Sequence, residues 1–169
     1  MAGGLITVGL AKIEVGAIAV DGGMGTTLAP LGLTEEGSFS INQDDPTETE
    51  FAVEELETPI HIQTKAGKIA LNFTISDPNE DTLVAVFGGT KTGTGSSAVY
   101  EWPMTPVSIE KSIKVTPQQG AGLNIPRAKI TAKFASELGR GALLRVEVTG
   151  TILQPTKADE PALSSFRVV

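Results

Sequence analysis

His61 is the only histidine of the chain and therefore the first candidate for acid–base chemistry near neutral pH. It stands between Ile60 and Ile62, and this spacing predicts a strand position facing away from those two side chains. The sequence contains no Gly-x-Ser-x-Gly motif that would supply an activated serine. We interpret His61 as a surface or interface side chain, because a Ser-His-Asp triad has no positive support.

A glycine-rich stretch around Lys91 is the second candidate, because such loops can cradle phosphate groups. Gly88 and Gly93 have the spacing of a nucleotide-binding phosphate loop, but Thr94 occupies the position where that motif requires lysine. The stretch also follows a predicted helix instead of opening one. The pattern favours a helix end and a loop over a nucleotide site.

The carboxylates of the segment from Asp44 to Glu57 could bind a divalent cation. The segment lacks the ligand spacing and central glycine of a calcium loop, so a solvated or salt-bridging loop is favoured. Carbohydrate chemistry is also disfavoured, since aromatic residues make up only 5% of the chain. Tyr100 and Trp102 share one face of a short strand and are interpreted as a core or subunit contact. We therefore predict no enzyme, no cofactor and no metal site.

Charge is distributed very unevenly along the chain. No lysine or arginine occurs between Ile13 and Thr64, a segment that holds eleven carboxylates, whereas basic residues outnumber acidic ones between Thr105 and Glu147. The two segments are electrostatically complementary, and they could meet within one subunit or between subunits. The net charge of -7 argues against general affinity for nucleic-acid phosphates.

The length of 169 residues suits one domain, and the absence of cysteine excludes disulfides and thiolate metal sites. Lys12 and Glu14 interrupt the apolar stretch from Leu5 to Val20. This stretch is therefore interpreted neither as a signal peptide nor as a membrane span. We expect a soluble protein made in the cytoplasm.

Apolar and polar residues alternate in several segments, which is typical of half-buried strands. The clearest are Lys68–Asp77, Arg127–Phe134 and Leu144–Ile152, and the last two predict an antiparallel hairpin. The sequence also predicts shorter strands within residues 6–20, 38–43, 59–64, 98–102 and 107–115. The fold class indicated is mainly β, an antiparallel β-sandwich or partly closed barrel.

One helix is predicted over residues 77–88. Asp77 is a suitable N-cap, Pro78 suits the first turn, and Glu80 completes a capping box. Gly88 and Gly89 can end the helix in a left-handed conformation. Its apolar stripe is expected to pack at the edge of the sheet.

The order of elements resembles the major tail tube proteins of long-tailed bacteriophages, whose fold is shared by inner tube proteins of contractile injection systems. The resemblance rests on the strand Gly9–Gly16, the acidic insertion Gln43–Thr58, the strand–helix unit Lys68–Gly89 and the hairpin Ile125–Ile152. It implies a core domain over 1–153, with an acidic loop at 43–58 and the helix at 77–88. Residues 154–169 match no family feature and are expected to form a C-terminal arm.

The resemblance also implies a structural protein of the virion tail. It would form hexameric rings stacked into a tube, with tape-measure, tail terminator and baseplate proteins as partners and DNA passing through the lumen without specific binding. No membrane partner is implied. Alternatives are an inner tube protein, a tail terminator or, from another class, a β-sandwich binding module. The candidate contact residues between rings or subunits are Asp44, Asp45, Glu48, Glu50, Glu54, Glu55, Arg127, Lys129, Lys133 and Arg145.

Overall fold

The computed structural model describes residues 4–168, so the first three residues of the predicted core domain and Val169 of the predicted C-terminal arm lie outside the described residues. Within that range the chain is mainly β, with 48% of residues in strands and 7% helical. The strands are β1 (Val8–Gly16), β2 (Leu28–Pro30), β3 (Ser40–Gln43), β4 (Thr47–Phe51), β5 (His61–Lys65), β6 (Ile69–Ile75), β7 (Thr90–Thr92), β8 (Val99–Glu101), β9 (Ile109–Phe134), β10 (Val146–Ile152) and β11 (Ser164–Val168). The helix α1 spans Glu80–Phe87, and a short 3₁₀ turn spans Gly95–Ser97.

Seven strands form one curled antiparallel sheet in the order β2-β1-β9-β10-β6-β3, with β11 also paired to β9. The sheet curls into a half-barrel. This confirms the predicted fold class in its partly closed form. Strands β2 and β3 end the sheet, so its two edges remain open within the described chain.

Strand β9 is 26 residues long and organises the sheet by pairing with three different strands. Its first part pairs with β1, residues 120–124 pair with β11, and its last part pairs with β10. The sequence predicted two separate strands here, at 107–115 and 127–134. The structure joins them, because β11 supplies hydrogen-bond partners to the Gly-containing segment between them.

The core lies on the inner face of the half-barrel, where alternating side chains from β1, β6, β9 and β10 meet. Strand β6 shows why: its odd-numbered residues Leu71, Phe73 and Ile75 are almost fully buried, whereas the residues between them are half-buried. The predicted hairpin of β9 and β10 is confirmed, with Val146 opposite Phe134 and Ile152 opposite Ala128. Period-2 alternation therefore located the central strands correctly.

Helix α1 closes one side of the core, with Val86 buried against the sheet. Its N-cap is Asn79, whose side chain accepts a hydrogen bond from the backbone N–H of Thr82 at 2.9 Å. The helix begins three residues later than the predicted range 77–88, because the carboxylate of Asp77 instead accepts a hydrogen bond from the backbone of Leu33. Gly88 ends it with a positive φ of 78°, as expected.

Two segments expected to be irregular contain strands. The acidic loop 43–58 includes β4, which pairs with β5 in a separate two-stranded sheet. In the segment 154–169, the described residues 164–168 form β11 in the main sheet. Ahead of β11, Lys157 forms ion pairs with Asp21 at 3.0 Å and Glu160 at 3.7 Å.

Candidate assembly surfaces

The hairpin of β4 and β5 stands apart from the body of the protein, and we call residues 44–66 the acidic arm. Every residue from 41 to 66 is exposed, so neither face of this two-stranded sheet is covered. Asp44 and Lys68 are joined by a backbone hydrogen bond of 2.8 Å at its base. An isolated two-stranded hairpin is marginally stable in water, so the arm gains little stability from its own two strands.

The strands of the arm present different chemistry on their two faces. Glu50 lies opposite Ile62, and Glu48, two residues earlier, shares that face. On the other face the rings of Phe51 and His61 are 5.9 Å apart. His61 is thus exposed on the arm. This agrees with the surface or interface position that the sequence predicts for it.

Residues 52–60, the arm turn, connect the two strands. Val53, Leu56 and Ile60 are exposed by 38%, 54% and 60%. Glu54 and Glu55 occupy the turn itself. The arm turn therefore combines uncovered apolar area with negative charge, which is typical of a segment that binds another protein surface.

The carboxylates of the acidic arm have no cationic partner among residues 4–168. This holds for Asp44 and Asp45 at the base, for Glu48 and Glu50 on β4 and for the turn residues. Seven carboxylates lie close together along the arm, so an approaching cationic surface would be attracted to it.

Most of the predicted basic contact residues do have carboxylate partners within the subunit. Arg127 pairs with Glu110 at 2.7 Å, Lys133 with Glu147 at 2.8 Å and Arg145 with Glu35 at 3.1 Å. Only the last pair joins the basic segment to the acidic third of the chain. The hydrogen bond from Arg127 holds the pKa of the Glu110 carboxyl below its ordinary value.

Lys129 differs from the other predicted basic residues. It is exposed on β9, and the part of the chain that the structure describes offers it no salt bridge. The structure thus does not bring the predicted acidic contact residues into ion pairs with the predicted basic ones within one subunit. Arg145 does pair with an acid, but that acid, Glu35, lies outside the arm.

A cluster of four aromatic rings lies beside α1, and we call it the aromatic cluster. Phe87 lies 4.8 Å from Trp102 and 4.9 Å from Phe134 by ring centroids, and Tyr100 lies 6.3 Å from Trp102. Half of the eight aromatic residues of the chain gather here. Trp102 and Phe134 nevertheless remain 58% and 47% exposed.

The sequence pattern predicts that Tyr100 and Trp102 share one face, but it does not connect them with Phe87 and Phe134. Each of the latter two belonged to a predicted apolar stripe, which is the only signal that the sequence offered. The hydroxyl of Tyr100 donates a hydrogen bond of 2.8 Å to the carbonyl of Gly88, which fixes β8 against the end of α1. Burial raises the pKa of that hydroxyl.

Two concave surfaces flank the core. The aromatic recess, of about 760 Å³, is lined by Phe87, Trp102, Met104, Val107, Lys129 and Ala132 among others. The second, which we call the open-edge groove, has a volume of about 940 Å³ and lies between β1 and the segment 32–41. Its lining includes Leu33, Glu35 and Glu36.

Two of the candidates raised by the sequence concern metal binding and phosphate binding. Among residues 4–168 no group of three or more His, Asp or Glu side chains is arranged to hold a metal ion. Lys91, in the glycine-rich stretch, pairs with Asp81 at 2.8 Å. No helix in the described range is both long and apolar enough to span a membrane.

The sequence model of a family described as "Phage tail tube protein" matches residues 19–164. The match covers the acidic arm, the helix and five of the seven strands of the main sheet, and it leaves out β1 and all but the first residue of β11. No curated protein sequence matches the chain significantly. Because the family match extends over most of the chain and the half-barrel fold agrees with the resemblance noted above, the chain belongs to the phage tail tube protein family, a family of structural proteins of the virion tail.

Proposed function

We propose that the chain polymerises as hexameric rings, stacked head to tail, into the tail tube that forms the channel for DNA ejection. The observation that carries this proposal is the acidic arm, a hairpin exposed on both faces whose carboxylates find no cation within the described chain. A segment of this kind gains stability by docking on another molecule. In a tube built from one protein, that molecule is a second copy.

The open edges of the half-barrel support ring formation. Strands β2 and β3 end the sheet and leave backbone N–H and C=O groups available for pairing. If an edge of one subunit pairs with the opposite edge of the next, the contact is heterologous, and such contacts close into rings when the rotation permits. Six subunits are the number implied by the family resemblance.

The acidic arm and the basic residues in and next to the β9–β10 hairpin support stacking of these rings. The contact candidates are the acids of the arm on one copy and, on the next copy, Lys129 together with Arg127, Lys133 and Arg145. Ion pairs across a heterologous contact give specificity and speed association more than they add affinity. Such stacking is open-ended, so the tape-measure, tail terminator and baseplate proteins would set and cap its length.

DNA passes through the lumen without specific binding in this proposal. The net charge of -7 at pH 7 disfavours adhesion of the phosphate backbone, because affinity for DNA depends on lysine and arginine displacing counterions. We also propose synthesis in the bacterial cytoplasm and a role without catalysis or cofactor. Attachment of the chain to its own copies is the whole of its activity.

Negative-stain microscopy of the concentrated protein, combined with native mass spectrometry, tests the proposal. We expect tubes about ten nanometres across, and six-subunit species on partial dissociation, from the size of domains of this mass around a channel. Discrete rings that never stack would favour the tail terminator alternative. A monomer at all concentrations would contradict assembly by this chain alone.

A further inference from the structure

We propose that the arm turn of one copy docks in the aromatic recess of a second copy. This inference rests on the proposed self-assembly and names the site that receives the arm. It differs from a contact made only by charged residues, because it assigns the central part of the contact to apolar side chains. The arm turn and the recess are both present in every copy, so each subunit can give one contact and receive one.

The aromatic recess has the composition of a protein-binding site. Trp102 is 58% exposed, Val107 54% and Met104 102%, although all three line a concave surface together with Phe87 of α1. Exposed aromatic and methionine side chains that gather in one recess are typical of binding surfaces, and tryptophan contributes strongly to binding energy where it occurs.

The arm turn supplies a matching occupant. Val53, Leu56 and Ile60 present apolar side chains on a short connection between two strands, with Glu54 and Glu55 beside them. The turn does not occupy the recess of its own subunit, since all residues from 41 to 66 are exposed. Docking in a second copy would bury these side chains and the recess together.

Charge distinguishes the aromatic recess from the open-edge groove as the receiving site. Lys129 lines the recess, and no carboxylate does so among the described residues. The open-edge groove contains Glu36, which has no ion-pair partner in the described range and would repel the acidic arm. Its other charged lining residues, Lys12 and Glu35, are already paired with Glu14 and Arg145. Since Lys129 has no ion-pair partner in the described range, it is available to the carboxylates of the arm turn.

Disulfide trapping tests this contact cleanly because the chain contains no cysteine. Two variants, Leu56→Cys in the arm turn and Met104→Cys in the recess, are mixed under assembly conditions and oxidised, one of them carrying a size tag. The matched control replaces Met104→Cys with Leu33→Cys, which lies in the open-edge groove and is 69% exposed. We expect the tagged mixed dimer with Met104→Cys and not with Leu33→Cys.

A charge variant provides a second readout. Lys129→Glu in the Met104→Cys chain should lower the yield of mixed dimer at least about tenfold, because like charges would meet at the contact. Lys68→Glu, an exposed lysine at the base of the arm, is the control and should leave the yield unchanged. Equal yields for both charge variants would overturn the inference.

The outcomes separate this inference from the proposed function. Rings or tubes that form without cross-linking between positions 56 and 104 overturn the docking site and leave self-assembly intact. Cross-linking of Leu56→Cys to Leu33→Cys assigns the arm to the other groove and also overturns the inference. A wild-type chain that never associates contradicts both proposals. An intramolecular bond in the Leu56→Cys/Met104→Cys double variant would show that the arm docks on its own subunit and would overturn the inference.

Discussion

Replacing Ser112 by alanine should destabilise the fold by much more than its small size suggests. Ser112 is fully buried in β9, where its hydroxyl accepts a hydrogen bond of 2.9 Å from the backbone N–H of Gly25. The same hydroxyl donates a bond of 2.7 Å to the carbonyl oxygen of Pro126, fourteen residues further along the same strand. One side chain therefore joins the two halves of β9 and the loop that precedes β2.

The magnitude follows from the two partners that the substitution leaves behind. Removing one partner from a buried polar group costs about 1–3 kcal/mol. We expect Ser112→Ala to lower the free energy of unfolding by about 2 kcal/mol, because the buried Gly25 N–H loses its acceptor. For a chain of this length that corresponds to a fall in Tm of about 4–8 °C.

Thermal and urea unfolding followed by circular dichroism measure this effect. Ser165→Ala is the matched control, because Ser165 lies exposed on β11 and such substitutions change stability by about 0.5 kcal/mol or less. If Ser112→Ala and Ser165→Ala unfold at the same temperature, the two hydrogen bonds of Ser112 do not stabilise the contact between the halves of β9, and the reasoning is refuted.

Three further predictions concern other contacts. Asp21→Asn should lower Tm at pH 7 by removing the ion pair with Lys157, which lowers the pKa of Asp21 below 3.8. That stabilisation is complete above pH 3.8 and is lost as the pH falls through the lower pKa of the folded state, so the difference in Tm between wild type and variant should vanish in acid. Gly122→Val should release β11, because a side chain at this position would overlap the ring of Phe166, and trypsin should then cleave the C-terminal segment faster. Asn79→Ala should lower the free energy of unfolding by about 1 kcal/mol through loss of the helix cap, measured by urea unfolding.

Each of these three predictions has its own control. Glu36→Gln removes an exposed carboxylate without an ion pair in the described chain and should leave Tm unchanged at both pH values. Gly139→Val introduces a side chain into open space and should not change the rate of proteolysis. Asn42→Ala, on exposed β3, should not alter the urea midpoint appreciably. A control that behaves like its paired variant would refute the contact assigned to that variant.

The central strands were predictable because burial on one face imposes an alternation that a local window contains. Strand β6 and the hairpin of β9 and β10 follow this alternation closely. The continuity of β9 was not predictable, since Gly120 and Gly122 suggest a turn and only pairing with the distant β11 keeps the strand extended. Long-range pairing of this kind leaves no local signal.

The other differences between the sequence-based predictions and the structure also arise from contacts between residues far apart in the chain. The segment 77–80 offers both Asp77 and Asn79 as caps, and a contact of Asp77 with Leu33, far away in sequence, decides between them. The acidic arm lacks a buried face, so its alternation of Thr and Glu did not indicate a strand. The aromatic cluster assembles from α1, β8 and β9, and its existence depends on the tertiary fold.

Excision of the acidic arm tests most directly whether the chain assembles through it. Because Asp44 and Lys68 are hydrogen-bonded at the base, residues 46–66 can be replaced by a short Gly-Ser turn without moving β3 or β6. Microscopy of the wild type and this variant, both shown to be folded by circular dichroism, is the measurement. We predict stacked tubes for the wild type and no stacking for the variant, and tubes of normal length formed without the arm would contradict the account.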